Sequence, residues 1–214
     1  MNLNERTKRA VCMRKTLNTL YPTIQSPLNY THDYEFLFAV IMSAQTTDRQ
    51  VNKVTATLFE RYATLSSIAE AKLDVFQKDI SSINLYKTKA KNIIRSAKML
   101  LETFQGRVPQ TLSELITLPG VGRKSANVVM SELWHKPEGI AVDTHVIRLS
   151  QKYGLSCHTD PVIIEQDLMK VIPKSEWDLF PLRLIQYGRD FCPARCKKCP
   201  QCPLWKCVTL NSKL

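Results

Sequence analysis

Apolar residues recur at three- and four-residue spacing along most of the chain, and no stretch sustains the two-residue alternation of a half-buried strand. Ala10, Met13, Leu17 and Leu20 make one stripe of a first helix over about 4–20. Pro22 and Pro27 then break the chain. A strongly apolar run, Tyr34 to Ala44, predicts a helix buried nearly all round, with Asp33 as its cap. Val51, Val54, Leu58 and Tyr62 form the stripe of the next helix, capped by Thr46 or Thr47. Two short pieces near 67–72 and 73–80 follow. A long helix over about 87–104 turns Ala90, Ile94, Ala97 and Leu101 inward, and Gly106 ends it.

The second half continues in the same way. Thr111 and Glu114 form a capping box that opens a short helix ending at Leu118. A Pro-Gly-Val-Gly hairpin at 119–122 joins it to a helix over about 123–134. Asp143 is placed to cap a helix running to about Tyr153. Asp160-Pro161 starts another, to about Ile172. The last helix, near 175–188, contains Pro181 and is expected to kink or split there. The class predicted is all-α.

Composition sharpens this picture. The 214 residues are enough for one large domain or two small ones, and 44% of them are hydrophobic, which excludes a disordered chain. No apolar run reaches the ~18 residues that a membrane span needs. The opening MNLNERTKRA has neither an apolar core nor a cleavage site, so no secretory signal is expected there. Lysine and arginine number 30 against 19 acidic residues, a net charge of +11 spread along the chain. Such a surface admits a polyanionic partner without requiring one.

Five of the seven cysteines fall between Cys192 and Cys207, the other two being Cys12 and Cys157. Disulfide frameworks usually space their cysteines along the whole chain, so this crowding points to a metal or cluster site in a reducing compartment. Cys192, Cys199, Cys202 and Cys207 give C-x6-C-x2-C-x4-C, and four thiolates can hold either tetrahedral zinc or an iron–sulfur cluster. Cys12 and Cys157 read as ordinary core or surface residues.

The stretch LITLPGVGRKSANVVM carries the most chemistry. Gly120 and Gly122 let the backbone approach another surface and can take positive φ. The amides that open the following helix, with its dipole, then suit a phosphate. Lys124 stands in that first turn beside Arg123. An ordinary lysine, with a pKa of about 10.4, is protonated at neutral pH. The positive helix end and the arginine both disfavour the ammonium form, a setting that suits Schiff-base chemistry. In GIAVDTHVIRLS, Asp143 follows an apolar run, where capping amides keep it ionised and able to stabilise positive charge at a sugar C1′. His145, two residues on, is placed either to contact DNA or simply to pack, and a supporting role is the favoured reading.

LPGVGRKSANVV followed about 20 residues later by AVDTH resembles the helix-hairpin-helix DNA glycosylases, and most closely their endonuclease III branch. SAQTTD at 43–48, SINLYKTKAKNI at 82–93 and the cysteine-rich end extend the resemblance over nearly the whole chain. It implies two domains: a six-helix domain over 26–136, and a discontinuous one, 1–25 with 137–214, carrying the aspartate and a [4Fe–4S] cluster in preference to zinc. It implies that Lys124 attacks C1′ of a damaged nucleotide and that Asp143 assists departure of the base. Gln45 and Leu85 match the positions that fill the gap in the duplex. Arg123, Arg195, Lys197 and Lys198 would face phosphates.

The expected activity is excision of oxidised pyrimidines and cleavage 3′ to the abasic site, by a cytoplasmic monomer acting on double-stranded DNA, on the nucleoid if the source is prokaryotic. Two departures stand out. Asn84 occupies the place where the family usually has glycine before the leucine, and asparagine tolerates left-handed geometry. The last cysteine spacing is four residues where the family has five, with Cys196 as an extra thiol. The competing readings are a mismatch-specific glycosylase, which generally lacks the lysine, and a DNA-binding module without activity.

Overall fold

The computed structural model describes residues 2–195 and 201–208. Among the described residues there are eleven α-helices and no strand. The chain divides into two units, Ser26–His135 and the residues up to Gln25 together with those from Lys136 onward.

The first of these holds α2 (Asp33–Ser43), α3 (Asp48–Arg61), α4 (Leu65–Ala69), α5 (Leu73–Asp79), α6 (Tyr86–Thr103), α7 (Leu112–Leu115) and α8 (Arg123–Trp134). The apolar run of α2 makes it the central helix. Phe36, Leu37, Phe38, Ala39 and Met42 are all fully buried, and α3, α6 and α8 pack against it. Each such side chain contributes about 1.5–3 kcal/mol over leaving it in water. The helix begins one residue earlier than the sequence predicts, because Glu35 provides the cap instead of Asp33. Its carboxylate accepts the amides of Thr31 at 2.7 Å and His32 at 3.1 Å.

Thr47, not Thr46, caps α3 by accepting from the Gln50 amide. In α6 the buried arc runs through Lys89, Ile93, Ser96 and Leu100 as well as Ala90, Ile94 and Ala97. Leu101 is 37% exposed rather than inward. It lies 3.9 Å from where a Cβ on Gly106 would stand, covering the turn that ends the helix. That turn closes as the Gly106 amide, at φ +76°, donates to Leu100 O at 2.7 Å.

The other unit holds α1 (Leu3–Leu20), α9 (Thr144–Lys152), α10 (Pro161–Met169), α11 (Leu179–Asp190) and a 3₁₀ turn at Pro203–Cys207. Its core joins Met13 and Leu17 to Val146, Leu149, Ile164, Leu168, Phe180 and Leu184, with Cys192, Cys202 and Cys207 inside it. Arg183 closes the end of α1, donating to Tyr21 O at 3.0 Å and Asn18 Oδ1 at 2.6 Å. The predicted last helix is split: a 3₁₀ turn, Lys174–Glu176, precedes α11. Pro181 then falls in the first turn of α11, where its missing amide has no partner to lose. Cys12 is not an ordinary core residue, since it forms a disulfide with Cys207 at a sequence separation of 195. Packing of α1 on the 3₁₀ turn brings the two together.

Two depressed carboxylates make this unit acid-sensitive. The Arg14 Nε donates to Glu176 Oε2 at 2.9 Å, with a second contact from its Nη2, and this bonding holds Glu176 below its ordinary value against the opposing effect of burial. Burial alone would raise Asp167. The Ser156 hydroxyl and the Arg6 guanidinium outweigh it, so Asp167 is also lowered. Folded values below the unfolded ones give stability that is present above about pH 4 and is lost as pH falls through the folded values. Arg14→Met is therefore expected to lower stability by about 1–3 kcal/mol at pH 7. The deficit shrinks as Glu176 becomes protonated. Urea melts of both proteins between pH 7 and pH 3 check this.

Candidate active site

The hairpin is built by contacts inside its own unit. Val121 is buried and its amide donates to Leu118 O at 3.1 Å, while Ser96 Oγ holds Pro119 O at 3.0 Å. The two glycines serve different ends. Gly120 has φ +85°, and a Cβ there would lie 2.9 Å from Asn92 Nδ2. Gly122 instead has ordinary extended geometry, φ −97° and ψ 174°, so the expectation of positive φ holds for Gly120 alone. A Cβ on Gly122 would meet nothing within 4 Å. As the N-cap of α8 it brings no side chain to cover the amides of the first turn. Openness is the use of glycine here.

Arg123 and Lys124 are the first two residues of α8, and both are exposed. Asp143 belongs to the other unit. Ile140, Ala141 and Val142 before it are buried and anchor the strand-like approach. Its Oδ1 accepts the Val146 amide at 2.8 Å, which makes it the N-cap of α9. His145 is half-buried, and a Cβ at Gly188 would lie 3.0 Å from its Nδ1. It packs where α11 passes α9.

Gln45 and Leu85 both project from turns, and both have left-handed backbone, at φ 57° and 58°. Leu85 is 61% exposed, the most open of the large apolar side chains among the described residues. A bulky residue held in that region costs about 1–2 kcal/mol, and such strain is retained chiefly where a side chain has to be aimed. The left-handed position is thus Leu85 and not Asn84, because the turn needs its sharp reversal at the N-cap of α6. Asn84 contributes a side chain instead.

Three sulfurs of the cysteine-rich end are buried. Lys152 Nζ lies 2.9 Å from Cys192 Sγ, and Arg148 Nη1 lies 3.9 Å from it. Cys202 Sγ donates to Phe191 O at 3.2 Å. Cys207 is the partner of Cys12. Among the described residues no three His, Cys, Asp or Glu side chains converge on a metal-sized point. Cys196, Lys197, Lys198 and Cys199 lie outside the described residues, and Arg195 is exposed. Cys192, Cys202 and Cys207 share one core, where Cys207 is paired with Cys12. Sequence reasoning missed that pairing, which carries no local signal. It also missed Lys89, which could have been found from its place on the inward stripe of α6.

One unit thus presents a helical hairpin with an open glycine cap and an exposed lysine in the next turn, and the other an aspartate that caps a helix. The class that carries such a hairpin is the helix-hairpin-helix DNA-repair proteins. The family model for HhH-GPD superfamily base excision DNA repair protein matches residues 38–174. The chain is 44% identical over 197 residues to the endonuclease III of Synechocystis sp., covering 92% of this chain and 90% of that protein. It is 43% identical over 194 residues to the endonuclease III of Bacillus subtilis, covering 90% and 88%. A solved trapped endonuclease III–DNA covalent intermediate superposes with a TM-score of 0.88 at 41% identity, covering 95% of this chain and 94% of that one. A thermostable thymine-DNA glycosylase superposes with a TM-score of 0.76 at 22% identity, a likeness of fold alone. The chain belongs to the endonuclease III family, within the HhH-GPD superfamily of base excision DNA repair proteins.

Proposed function

We propose that this chain is a bifunctional DNA glycosylase and abasic-site lyase that removes damaged, chiefly oxidised, pyrimidines. One observation carries the reading: Lys124 stands exposed in the first turn of the helix behind an open glycine cap, in a chain that matches a protein solved as a trapped covalent DNA intermediate. The uncharged amine of Lys124 attacks C1′, the base departs with its bonding electron pair, and Asp143 stabilises the positive charge that develops on the sugar. The nitrogen gives up a proton and its lone pair then forms C1′=N as the C1′–O4′ bond breaks, O4′ taking up the proton, so that the opened sugar is held as a Schiff base. Removal of a C2′ proton then expels the 3′ phosphate, and water releases the lysine. The target nucleotide first leaves the stack, at a cost of a few kcal/mol that damage lowers. Gln45 and Leu85 fill the space. The α8 amides, Arg123 and the basic loop at 195–198 hold phosphates without reading sequence, and His145 supports the aspartate. Borohydride should trap a covalent complex on a duplex carrying thymine glycol, and the unreduced reaction should nick that strand. A nick-free release of the base overturns this reading.

The glycines give a separate test. Gly120→Ala forces an L-residue into left-handed backbone against Asn92, so stability should fall by about 1–3 kcal/mol. Gly122→Ala should leave stability within about 0.5 kcal/mol. It should still weaken duplex binding, because the added methyl faces the phosphate. Melts and titrations of both variants separate the two roles.

Cys192, Cys199, Cys202 and Cys207 would hold a [4Fe–4S] cluster, which folds the end of the chain and presents Arg195, Lys197 and Lys198; electron transfer is not part of base excision. Anaerobically purified protein should carry about four iron and four sulfide per chain. One zinc and no sulfide would assign the other metal.

A further inference from the structure

Two turns 39 residues apart in sequence are tied together by hydrogen bonds. Asn84 Nδ2 donates to Gln45 O at 2.5 Å, and the Asn84 amide donates to Thr46 Oγ1 at 3.3 Å. From beneath, the buried Lys89 ammonium donates to Met42 O at 2.8 Å and Ala44 O at 2.5 Å, and reaches Thr46 Oγ1 at 3.4 Å. Gln50 Nε2 adds a bond to Ser82 Oγ at 2.7 Å. Lys89 also meets the carbonyl end of α2, where the helix dipole favours a cation. It is only 5% exposed, and its amine is directed into these carbonyls, so it is no second nucleophile.

We propose that Asn84 and Lys89 are positioning residues that lock the Gln45 turn and the Leu85 turn into one preformed clamp, so that both side chains enter the duplex together. The inference rests on the reading of Gln45 and Leu85 as gap-filling residues. Its physical basis is that two left-handed turns held by five side-chain and backbone acceptors are ordered in the free protein. Ordering them on the DNA would instead reduce affinity and slow the extrusion of a paired base. Glycine at position 84 would permit the turn but supply no tie, which gives asparagine a reason to stand there.

The test uses the full chain and its Asn84→Gly and Asn84→Ala variants, with Lys89→Met as a third. Amide hydrogen exchange in the DNA-free proteins is measured over residues 43–47 and 82–86. Single-turnover base release is then compared on thymine glycol paired with adenine and on thymine glycol opposite an abasic gap, where no pair has to be broken. The Asn84 variants should melt like the parent, since the residue is exposed. Exchange in both turns should rise about tenfold, the factor a single lost hydrogen bond is worth. Base release should fall about tenfold on the paired lesion and by less than about twofold opposite the gap, the difference reflecting the pair that must be opened.

Unchanged exchange overturns the clamp whether or not the protein is active. Faster exchange with equal losses on both substrates overturns its role in insertion. Faster exchange in the Asn84 variants, where the parent protein itself never releases the base, upholds the clamp and defeats the glycosylase reading instead. Should Lys89→Met fail to fold, the two Asn84 variants still decide the matter.

Discussion

Lys124→Ala is expected to abolish the borohydride-trapped complex and to lower strand cleavage by at least roughly 10³-fold, about 4 kcal/mol of barrier. The reasoning begins with what the substitution leaves alone. Lys124 is exposed in the first turn of a helix, and alanine is the better helix former, so folding stability should stay within about 0.5 kcal/mol. Loss of one positive charge near the backbone should reduce the salt slope of DNA binding by about one, a modest and uniform effect. Neither change accounts for three decades of rate. Removal of the proposed nucleophile would, because no other group then carries the sugar through the elimination. The loss should appear equally on a lesion and on a ready-made abasic site, since both pass through the same Schiff base. A persistent adduct in the variant would move the nucleophile elsewhere. Arg123 is no substitute, because a guanidinium stays protonated.

The helices were legible because their signals are local. The caps at Thr47, Thr111, Asp143 and Asp160 and the glycine end at 106 each rest on a few neighbouring residues. Misreadings arose where a distant or competing group intervened. Glu35 displaced Asp33 as the cap by reaching back to two amides, and the end of α6 turned Leu100 inward in place of Leu101. At the site, the sequence placed a lysine and an aspartate at two helix starts, which is a backbone property and therefore readable. It gave no hint that Cys12 would meet Cys207, that Lys89 would close the end of α2, or that Leu85 would take the left-handed position. Those depend on which helix lies against which, a matter of three-dimensional packing that no short window encodes.

Asp143 allows the sharpest separation of folding from chemistry, because the proposed reaction gives a second job to a carboxylate that already caps a helix. As N-cap it accepts the Val146 amide at 2.8 Å, and in the reaction its charge is to stabilise the sugar as the base departs. Asp143→Asn keeps the acceptor, and asparagine caps as well as aspartate. Only the favourable charge at the helix start is lost, at most about 1 kcal/mol. Base release should nevertheless fall by about 10²–10³, or roughly 3–4 kcal/mol of barrier, the size of a lost electrostatic stabiliser. Asp143→Ala should show a similar rate loss with a further ~1 kcal/mol of instability from the missing cap. On an abasic site the base has already gone, so Asp143→Asn should slow cleavage far less than it slows release of thymine glycol, whereas Lys124→Ala suppresses both. Single-turnover rates on the two substrates, with urea melts of each variant, test this crossing pattern. If Asp143→Asn stays within about threefold of the parent on the lesion, the carboxylate is a cap and nothing more, and the charge that assists base departure must come from another residue.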